Sequence, residues 1–259
     1  MASYYDTYDY PAYWEDRVYE HESEVHTLRA FLSRIPKIQD VIDLGGGFGR
    51  LTPHYAYRAN SVTILDPSKK LLKTAMKNYE RLITRKKLSA KLATIPSRIE
   101  YASKRVGKKR YDLAIMVRVM HHLENPEKAI MEVSKILEPK GYFVLEFANK
   151  LHAKSLFQNF CRGNFTYLLD ITPEDKRSRK NRNNHTIGFY NYHPDVIQDL
   201  LKKHKFTIIE SRSVSNIRSG FLKKHVPVSI LVEFEKLLQK PFAKMNFGPS
   251  IFILAQKKG

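Results

Sequence analysis

Hydrophobic and polar positions alternate along this chain between two kinds of stretch. Short, almost continuous apolar runs stand at Val41 to Leu44, Ser61 to Leu65, Leu113 to Val117, Tyr142 to Phe147 and Ile251 to Ala255. Runs of that length predict strands covered on both faces. Between them, apolar residues recur at helical spacing: Leu71, Leu72, Ala75, Met76, Tyr79 and Leu82, then Ala129, Ile130, Val133, Ile136 and Leu137, then Val196, Ile197, Leu200 and Leu201. Ser68 is positioned to cap the first of these helices. Strand and helix taking turns predicts an α/β fold with a doubly wound sheet and helices on both faces. A first helix is expected from near Pro11 to about Ser33, with Val18, Val25, Leu28, Leu32 and Ile35 on its apolar side and Pro36 ending it. Further elements are a weak third strand at Arg98 to Ala102, a strand at Phe206 to Glu210 and a helix around Ile230 to Leu238. Residues 150 to 192 lack strong periodicity, which in an α/β domain predicts a lid over a site.

The run Val41, Ile42, Asp43, Leu44 enters the turn Gly45, Gly46, Gly47, Phe48, Gly49, Arg50, and a helix carrying Leu51 and Tyr55 is expected to follow. Glycines there let the main chain adopt positive φ and approach a ligand closely, while amides at a helix start face an anionic or polar group. A nucleotide-like ligand is the natural occupant. The dinucleotide fingerprint G-x-G-x-x-G is not met, since the sixth position from Gly45 is Arg50; the spacing is D-x-G-x-G-x-G. Asp66 ends the next strand, twenty-three residues after Asp43 and just before Pro67. A carboxylate at that strand tip can accept both hydroxyls of a ribose.

This combination resembles motif I of the class I S-adenosylmethionine-dependent methyltransferases. The stretches Tyr111 to Leu123 and Ile136 to Phe147, with Arg118, His121 and His122 after one strand and Glu146 at the end of the next, resemble the same family's fourth and fifth strands, in the small-molecule type found in ubiquinone and menaquinone biosynthesis. The resemblance implies a Rossmann-like seven-stranded sheet of order 3-2-1-4-5-7-6 with the last strand antiparallel. It implies S-adenosyl-L-methionine as cofactor, held by Asp43, Gly45, Gly46, Gly47, Asp66, Pro67, Val117 and Arg118. A leader like Tyr13 to Glu20 lies over the cofactor in such proteins, which suits Arg17 to the cofactor carboxylate. The family's adenine contact falls near Ala102 and Ser103. Tyr13, His122, Glu146, Tyr190 and Tyr192 are expected at the acceptor. The chain divides accordingly into an aromatic leader and helix over 1–36, a cofactor half over 37–149, a substrate lid over 150–192 and the end of the sheet over 193–259.

His121 is the candidate for orienting or deprotonating an acceptor, because neutral imidazole takes a proton near pH 7. No metal is expected: adjacent histidines diverge on a helix, no regular third and fourth ligands lie nearby, and Asp170, Asp175 and His185 form no ligand spacing.

The length, 259 residues, suffices for one full α/β domain. A single cysteine, Cys161, excludes an internal disulfide and suits a reducing compartment. The first residues have neither a basic nor an apolar signal character, and no eighteen-residue apolar run occurs, so the reading is cytoplasmic with no stable membrane insertion. Formal net charge is +19, and residues 69 to 110 alone hold fifteen Lys or Arg against Glu80 and Glu100. Such a field attracts RNA or other anions. Three functions are therefore open: methyl transfer to a small-molecule acceptor, an RNA methyltransferase working through the basic surface, and a non-catalytic basic scaffold with the same fold.

Overall fold

Strand β1 (Asp40–Leu44), buried from Val41 onward, is an interior strand, third in the order of a seven-stranded sheet, in the computed structural model, which describes residues 9–86, 88–183 and 186–259. Leader residues Tyr4, Tyr5 and Tyr8, together with Asn184 and His185, fall outside the described residues. β1 pairs in parallel with β2 (Ser61–Asp66) on one side and β4 (Tyr111–Met116) on the other, so Val41 stands opposite both Val62 and Leu113. β3 (Lys91–Pro96) extends the first side and β5 (Leu137–Ala148) the second. After two two-residue strands, β6 (Glu174–Asp175) and β7 (Tyr190–Asn191), come β8 (Phe206–Val214) and β9 (Ser250–Lys257). β9 is antiparallel to both of its neighbours, β5 and β8. The order β3-β2-β1-β4-β5-β9-β8 is the expected one, with β8 and β9 as its sixth and seventh strands.

Because successive strand residues point to opposite faces, each apolar run feeds two cores. Val41, Leu113 and Val144 join Leu28, Phe31 and Ala75 on one face; Ile42, Ala114 and Phe143 join Ile130, Val133 and Ile197 on the other. The covering helices are α2 (Val18–Leu32), α3 (Lys69–Lys86) and α10 (Val228–Lys244), and opposite them α4 (Ala102–Val106), α5 (Pro126–Ile136) and α8 (Pro194–Lys203). Ser68 caps α3, its hydroxyl accepting the Leu71 amide at 3.1 Å. In a sheet of this order the strand sequence reverses between β1 and β4, and the crevice at their carboxyl ends is where ligands bind.

Four expectations are corrected. The first helix is not continuous: α1 (Tyr10–Tyr13) stops at Trp14 and α2 starts at Val18. The break lets Trp14 fold inward, with its ring over the Arg50 guanidinium at 3.6 Å. In place of one helix after the glycine turn, two 3-10 turns, Thr52–His54 and Ala56–Arg58, bring Tyr55 into the core. The third strand is Lys91–Pro96, not Arg98 to Ala102. As an edge strand it pairs on one side only and keeps exposed positions, so it lacks the continuous apolar signature, whereas Ile99 and Ala102 are buried at helical spacing in a 3-10 turn and α4. The stretch from 150 to 192 is also more ordered than its weak periodicity predicts, since it holds α6 (Ala153–Cys161), a 3-10 turn Phe165–Leu168, α7 (Arg179–Asn183) and the β6–β7 pair.

Candidate active site

The glycine turn is built against the tips of two strands. Gly45, at φ +73°, donates its amide to the Leu65 carbonyl at 2.6 Å, and a Cβ on it would come within 2.4 Å of Val119 Cγ2. Gly46 lies against Asp43, whose Cγ is 2.7 Å from where a Cβ would stand. Gly47 differs: at φ +53° a Cβ on it would meet no atom closer than Leu71 Cδ1 at 3.5 Å and Asp66 Oδ2 at 3.9 Å, so the space beside Asp66 is a small cradle that a methyl would take up. Its amide donates to Asp66 Oδ2 at 3.0 Å, while Asp66 Oδ1 accepts the Ser68 amide at 2.8 Å. Asp66 thus ties the turn to the start of α3. Pro67 beside it is exposed.

Asp43 sits beneath the turn. It is 4% exposed, and its Oδ2 accepts the Tyr55 hydroxyl at 2.7 Å. Burial pushes its carboxyl up to about 6, the Tyr55 bond opposing this in part.

Above the turn lies a buried ion cluster. One oxygen of Glu24, on α2, accepts from Arg118 Nε at 2.7 Å and Nη2 at 2.5 Å; the other accepts from Arg50 Nη2 at 2.5 Å. Arg50 Nη1 donates to His21 Nδ1 at 2.7 Å, which requires that nitrogen to be unprotonated. Burial together with the charge of Arg50 lowers the His21 pKa and keeps the ring neutral. Burial alone would raise Glu24, but the charges of Arg118 and Arg50 overcome it and hold the carboxyl below its usual range. Trp14 covers both guanidinium groups, at 3.6 Å from Arg50 and 5.5 Å from Arg118. Tyr10 packs edge-on against Phe48 of the turn.

Arg118 follows β4 and Val117 in the left-handed region, at φ +63°. Glu146 holds it there, taking the Arg118 amide at 2.8 Å on one oxygen and the Ser250 hydroxyl at 2.5 Å on the other. Glu146 is 1% exposed and its pKa is raised by burial, against the pull of Arg118. Arg17 and Tyr13 meet each other, the guanidinium lying 4.1 Å from the ring centre on the leader.

His121, His122 and Phe189 form a packed group, with the His121 ring centre 4.0 Å from that of His122 and 4.6 Å from that of Phe189. Burial first, then the neighbouring His122 and Arg118, push His121 well below its usual pKa. His122 Nδ1 lies 2.8 Å from the Gly188 carbonyl, which only accepts, so this nitrogen carries the proton and Nε2 is the basic one. Tyr190 lies beside the group, against Gly188, whereas Tyr192 is 1% exposed in the core with its hydroxyl on the Leu123 carbonyl. Among the described residues no group of three His, Cys, Asp or Glu is arranged to hold a metal.

The turn, Asp66, Val117, Arg118 and the histidines therefore converge at the carboxyl ends of β1, β2 and β4, while Tyr192, and Ser103 farther off, serve packing. Ser103 donates amide and hydroxyl to Glu132, at 2.9 and 2.6 Å. The segment after the true third strand begins with Ser97, buried and tied through its amide to the Asp66 carbonyl at 3.1 Å. Sequence reasoning missed Glu24 and Arg50. The available signal was an acid among the inward positions Val25 and Leu28 and a base directly after the last glycine, but their pairing is long-range.

Comparison with known proteins agrees with this fold. The methyltransferase-domain family matches residues 13–211. A ubiquinone biosynthesis O-methyltransferase of Rickettsia typhi is 25% identical over 133 residues, covering 51% of this chain and 50% of that protein, so the chain spans about half the length of the curated relative it matches. Among solved structures, magnesium protoporphyrin IX methyltransferase of Synechocystis with bound S-adenosyl-L-methionine superposes at a TM-score of 0.60 with 14% identity, over 98% of this chain and 94% of that one. An N-methyltransferase of Bradyrhizobium japonicum in complex with S-adenosyl-L-homocysteine does so at 0.60 with 16% identity, over 98% and 95%. The likeness to these structures is one of fold, that of a Rossmann-like methyltransferase, and the chain belongs to the methyltransferase-domain family.

Proposed function

We propose that this protein is an S-adenosyl-L-methionine-dependent methyltransferase whose acceptor is a small molecule. The observation that carries the reading is the junction of Gly47 and Asp66: a glycine at φ +53° where a Cβ would meet nothing closer than 3.5 Å, beside a carboxylate anchored by two amides, at the point where the strand order reverses. Cofactors of this kind are bound by the relatives crystallised with S-adenosyl-L-methionine or its demethylated product.

In this reading Gly45 to Gly47 cradle the amino-acid end of the cofactor, Asp66 takes the ribose hydroxyls, and the segment beginning at Ser97, rather than Ala102 and Ser103, borders the adenine. Asp43 braces the turn from below. When bound, the cofactor supplies a sulfonium-activated methyl group, so the chain's own work is positioning and exclusion of water. Trp14, Tyr10 and Phe48 shield the turn from solvent. Arg118 and Arg50, held by Glu24, present the positive charge that suits a carboxylate, a role that sequence reading gave to Arg17. His122, with its Nδ1 proton fixed by Gly188, orients Nε2 as a proton acceptor; His121, the original candidate, is too deeply buried to gain a charge readily and supports the His122 ring. Tyr13, Tyr190 and the segment 150–192 wall the acceptor.

A small acceptor is favoured over RNA by the character of the lysine-rich surface of α3. The hollow on α3, about 420 Å³, is lined by Lys69, Lys70, Lys73, Thr74 and Lys77, which attract anions at long range but provide no stacking platform for a base.

Calorimetric titration with S-adenosyl-L-methionine and with its demethylated product tests the reading. Micromolar binding that Asp66→Ala weakens is expected; absence of binding to the folded wild-type chain overturns it.

A further inference from the structure

Helix α10 turns an apolar stripe to solvent. Ile230, Phe234, Leu237, Pro241 and Met245 recur at helical spacing and are all exposed, Leu237 at 73% and Met245 at 66%. Its inward side, by contrast, carries Glu235 and Gln239 fully buried beside Leu231 and Val232. Glu235 accepts the Tyr19 hydroxyl at 2.6 Å and the Ser215 amide at 2.8 Å, and Gln239 accepts the Thr27 hydroxyl at 2.9 Å. Polar groups thus fix the helix to the domain, and the outer stripe has no partner within the described residues.

A second set of exposed apolar residues lies on the segment that starts beside the end of α10. The Ala153 amide donates to the Phe247 carbonyl at 2.9 Å and Asn149 Nδ2 to the Asn246 carbonyl at 2.6 Å, which seats the start of α6 against the turn after α10. From α6 and the following turn, Phe160 and Phe165 project with exposures of 65% and 67% and ring centres 5.3 Å apart, and Leu169 is 81% exposed. Clustered large apolar side chains at these exposures mark an interaction site.

Charge identifies the partner. Residues 153 to 169 contain no acid, and Lys154 and Arg162 stand exposed among the aromatic rings. At the junction, burial and then the charges of Lys176, Arg218 and Lys154 hold His152 down to about 4, with Glu174 opposing, so the field there is positive. Lys224 and Lys244 are exposed on α9 (Gly220–His225) and at the end of α10. A second copy of this chain would bring another formal +19 against that field. RNA gains little from aliphatic tips such as Leu169 and Leu237, because its affinity comes from phosphate contacts and stacking on rings.

We propose that the outer stripe of α10 and the tip of α6 dock this protein on the surface of an anionic lipid bilayer. The apolar side chains enter the boundary between headgroups and acyl chains, and the surrounding lysines and arginines meet anionic headgroups. Docking is in the plane of the surface, since among the described residues no helix is long and apolar enough to cross a membrane.

Sedimentation of the full chain with vesicles tests this, comparing equal parts phosphatidylglycerol and phosphatidylcholine with phosphatidylcholine alone. The wild type is expected to bind the anionic vesicles, less so at high salt, and Phe160→Ser/Leu237→Ser to bind them roughly tenfold more weakly with an unchanged melting temperature. If that variant does not fold, Lys154→Gln/Arg162→Gln, which leaves the apolar surface intact, is expected to lose binding to the anionic vesicles at low salt. The proposal is overturned if the wild type does not bind anionic vesicles, if the folded serine or glutamine variant binds them as the wild type does, or if sedimentation velocity finds the wild type dimeric and the serine variant monomeric with vesicle binding unaltered.

Discussion

Glu24 on α2 and Arg118 at the tip of β4, ninety-four residues apart in the chain, are joined by Nε at 2.7 Å and Nη2 at 2.5 Å to one carboxylate oxygen. With Arg50 on the other oxygen, a fully buried acid holds two cations and fastens the leader helix over the glycine turn. Removing the acid leaves both guanidinium groups facing a neutral group away from water. Glu24→Gln is expected to cost about 3 kcal/mol, read as a lower urea midpoint with an unchanged slope. The folded-state pKa of Glu24 is depressed, so its contribution is present above the unfolded value of about 4.5 and is lost as pH falls through the folded one. Wild type therefore loses more stability than Glu24→Gln on acidification below that value.

Asp43 gives the opposite sign. Its folded pKa is raised to about 6 by burial, so the stability it contributes is present below the unfolded value of about 3.9 and is lost as pH rises through 6. Asp43→Asn keeps an acceptor for the Tyr55 hydroxyl while removing the titration. Urea denaturation from pH 4 to 7 is expected to find wild type losing stability relative to Asp43→Asn across that window, and parallel curves for the two would dismiss the shift.

What sequence made legible follows from range. Asp43, the glycines and Asp66 lie within twenty-four residues, and short apolar runs report strands covered on both faces, so the strands and the glycine turn could be read from the residues, while the sheet order was implied by the family resemblance. β3 could not, because an edge strand keeps polar positions and Ile99 with Ala102 offered a stronger apolar pattern nearby. Nor could the Glu24 cluster, whose members are ordinary surface types in sequence and acquire meaning only when α2 crosses the turn. Tyr192 looked like a pocket ring, but a tyrosine whose hydroxyl finds a main-chain carbonyl is as content in a core.

Two glycines of the turn have different tasks, which substitution separates. At Gly45 a Cβ meets Val119 at 2.4 Å and φ is +73°, so Gly45→Ala strains both packing and backbone. A loss of about 2 kcal/mol or more is expected, partly relieved by Val119→Ala in the same chain. Gly47→Ala meets no atom closer than 3.5 Å and is expected to cost only about 1 kcal/mol for its backbone. Its methyl fills the cradle, so the near-normal melting temperature should accompany loss of S-adenosyl-L-methionine binding in calorimetry. Unimpaired binding by Gly47→Ala would remove this glycine from the cofactor site.

Of the two adjacent histidines, His122 is the one whose tautomer the fold dictates. Imidazole nitrogen chemical shifts are expected to find Nδ1 protonated and Nε2 bare near neutral pH, and Gly188 leaves no alternative while its carbonyl remains 2.8 Å away. With an acceptor in hand, His122→Gln is expected to lower kcat by roughly a hundredfold or more and to abolish the acid limb of the rate profile. His121→Asn should mainly destabilise the packed ring group and leave that limb in place. The reverse result would return the base to His121.

Lys150 ties the 150–192 segment to the sheet by an unusual route. It is 1% exposed, yet its ammonium finds the Asp170 and Thr172 carbonyls at 2.6 and 2.7 Å, the Asp170 carboxylate at 2.8 Å and the Tyr167 ring at 5.2 Å. Three donors thus meet three oxygens, which satisfies the buried ammonium group by hydrogen bonds. Lys150→Met keeps the length of the stem but leaves two carbonyls without a donor, and the segment from Asp170 onward loses its anchor. Limited proteolysis is expected to cut the variant between residues 170 and 183 several times faster than wild type, by raising the open fraction of this segment. Cofactor titration should be unaltered, since the glycine turn and Asp66 are held by other bonds. Equal cleavage rates in the two proteins would mean that the Asn149 and Tyr192 bridge at the base of the segment holds it without the lysine.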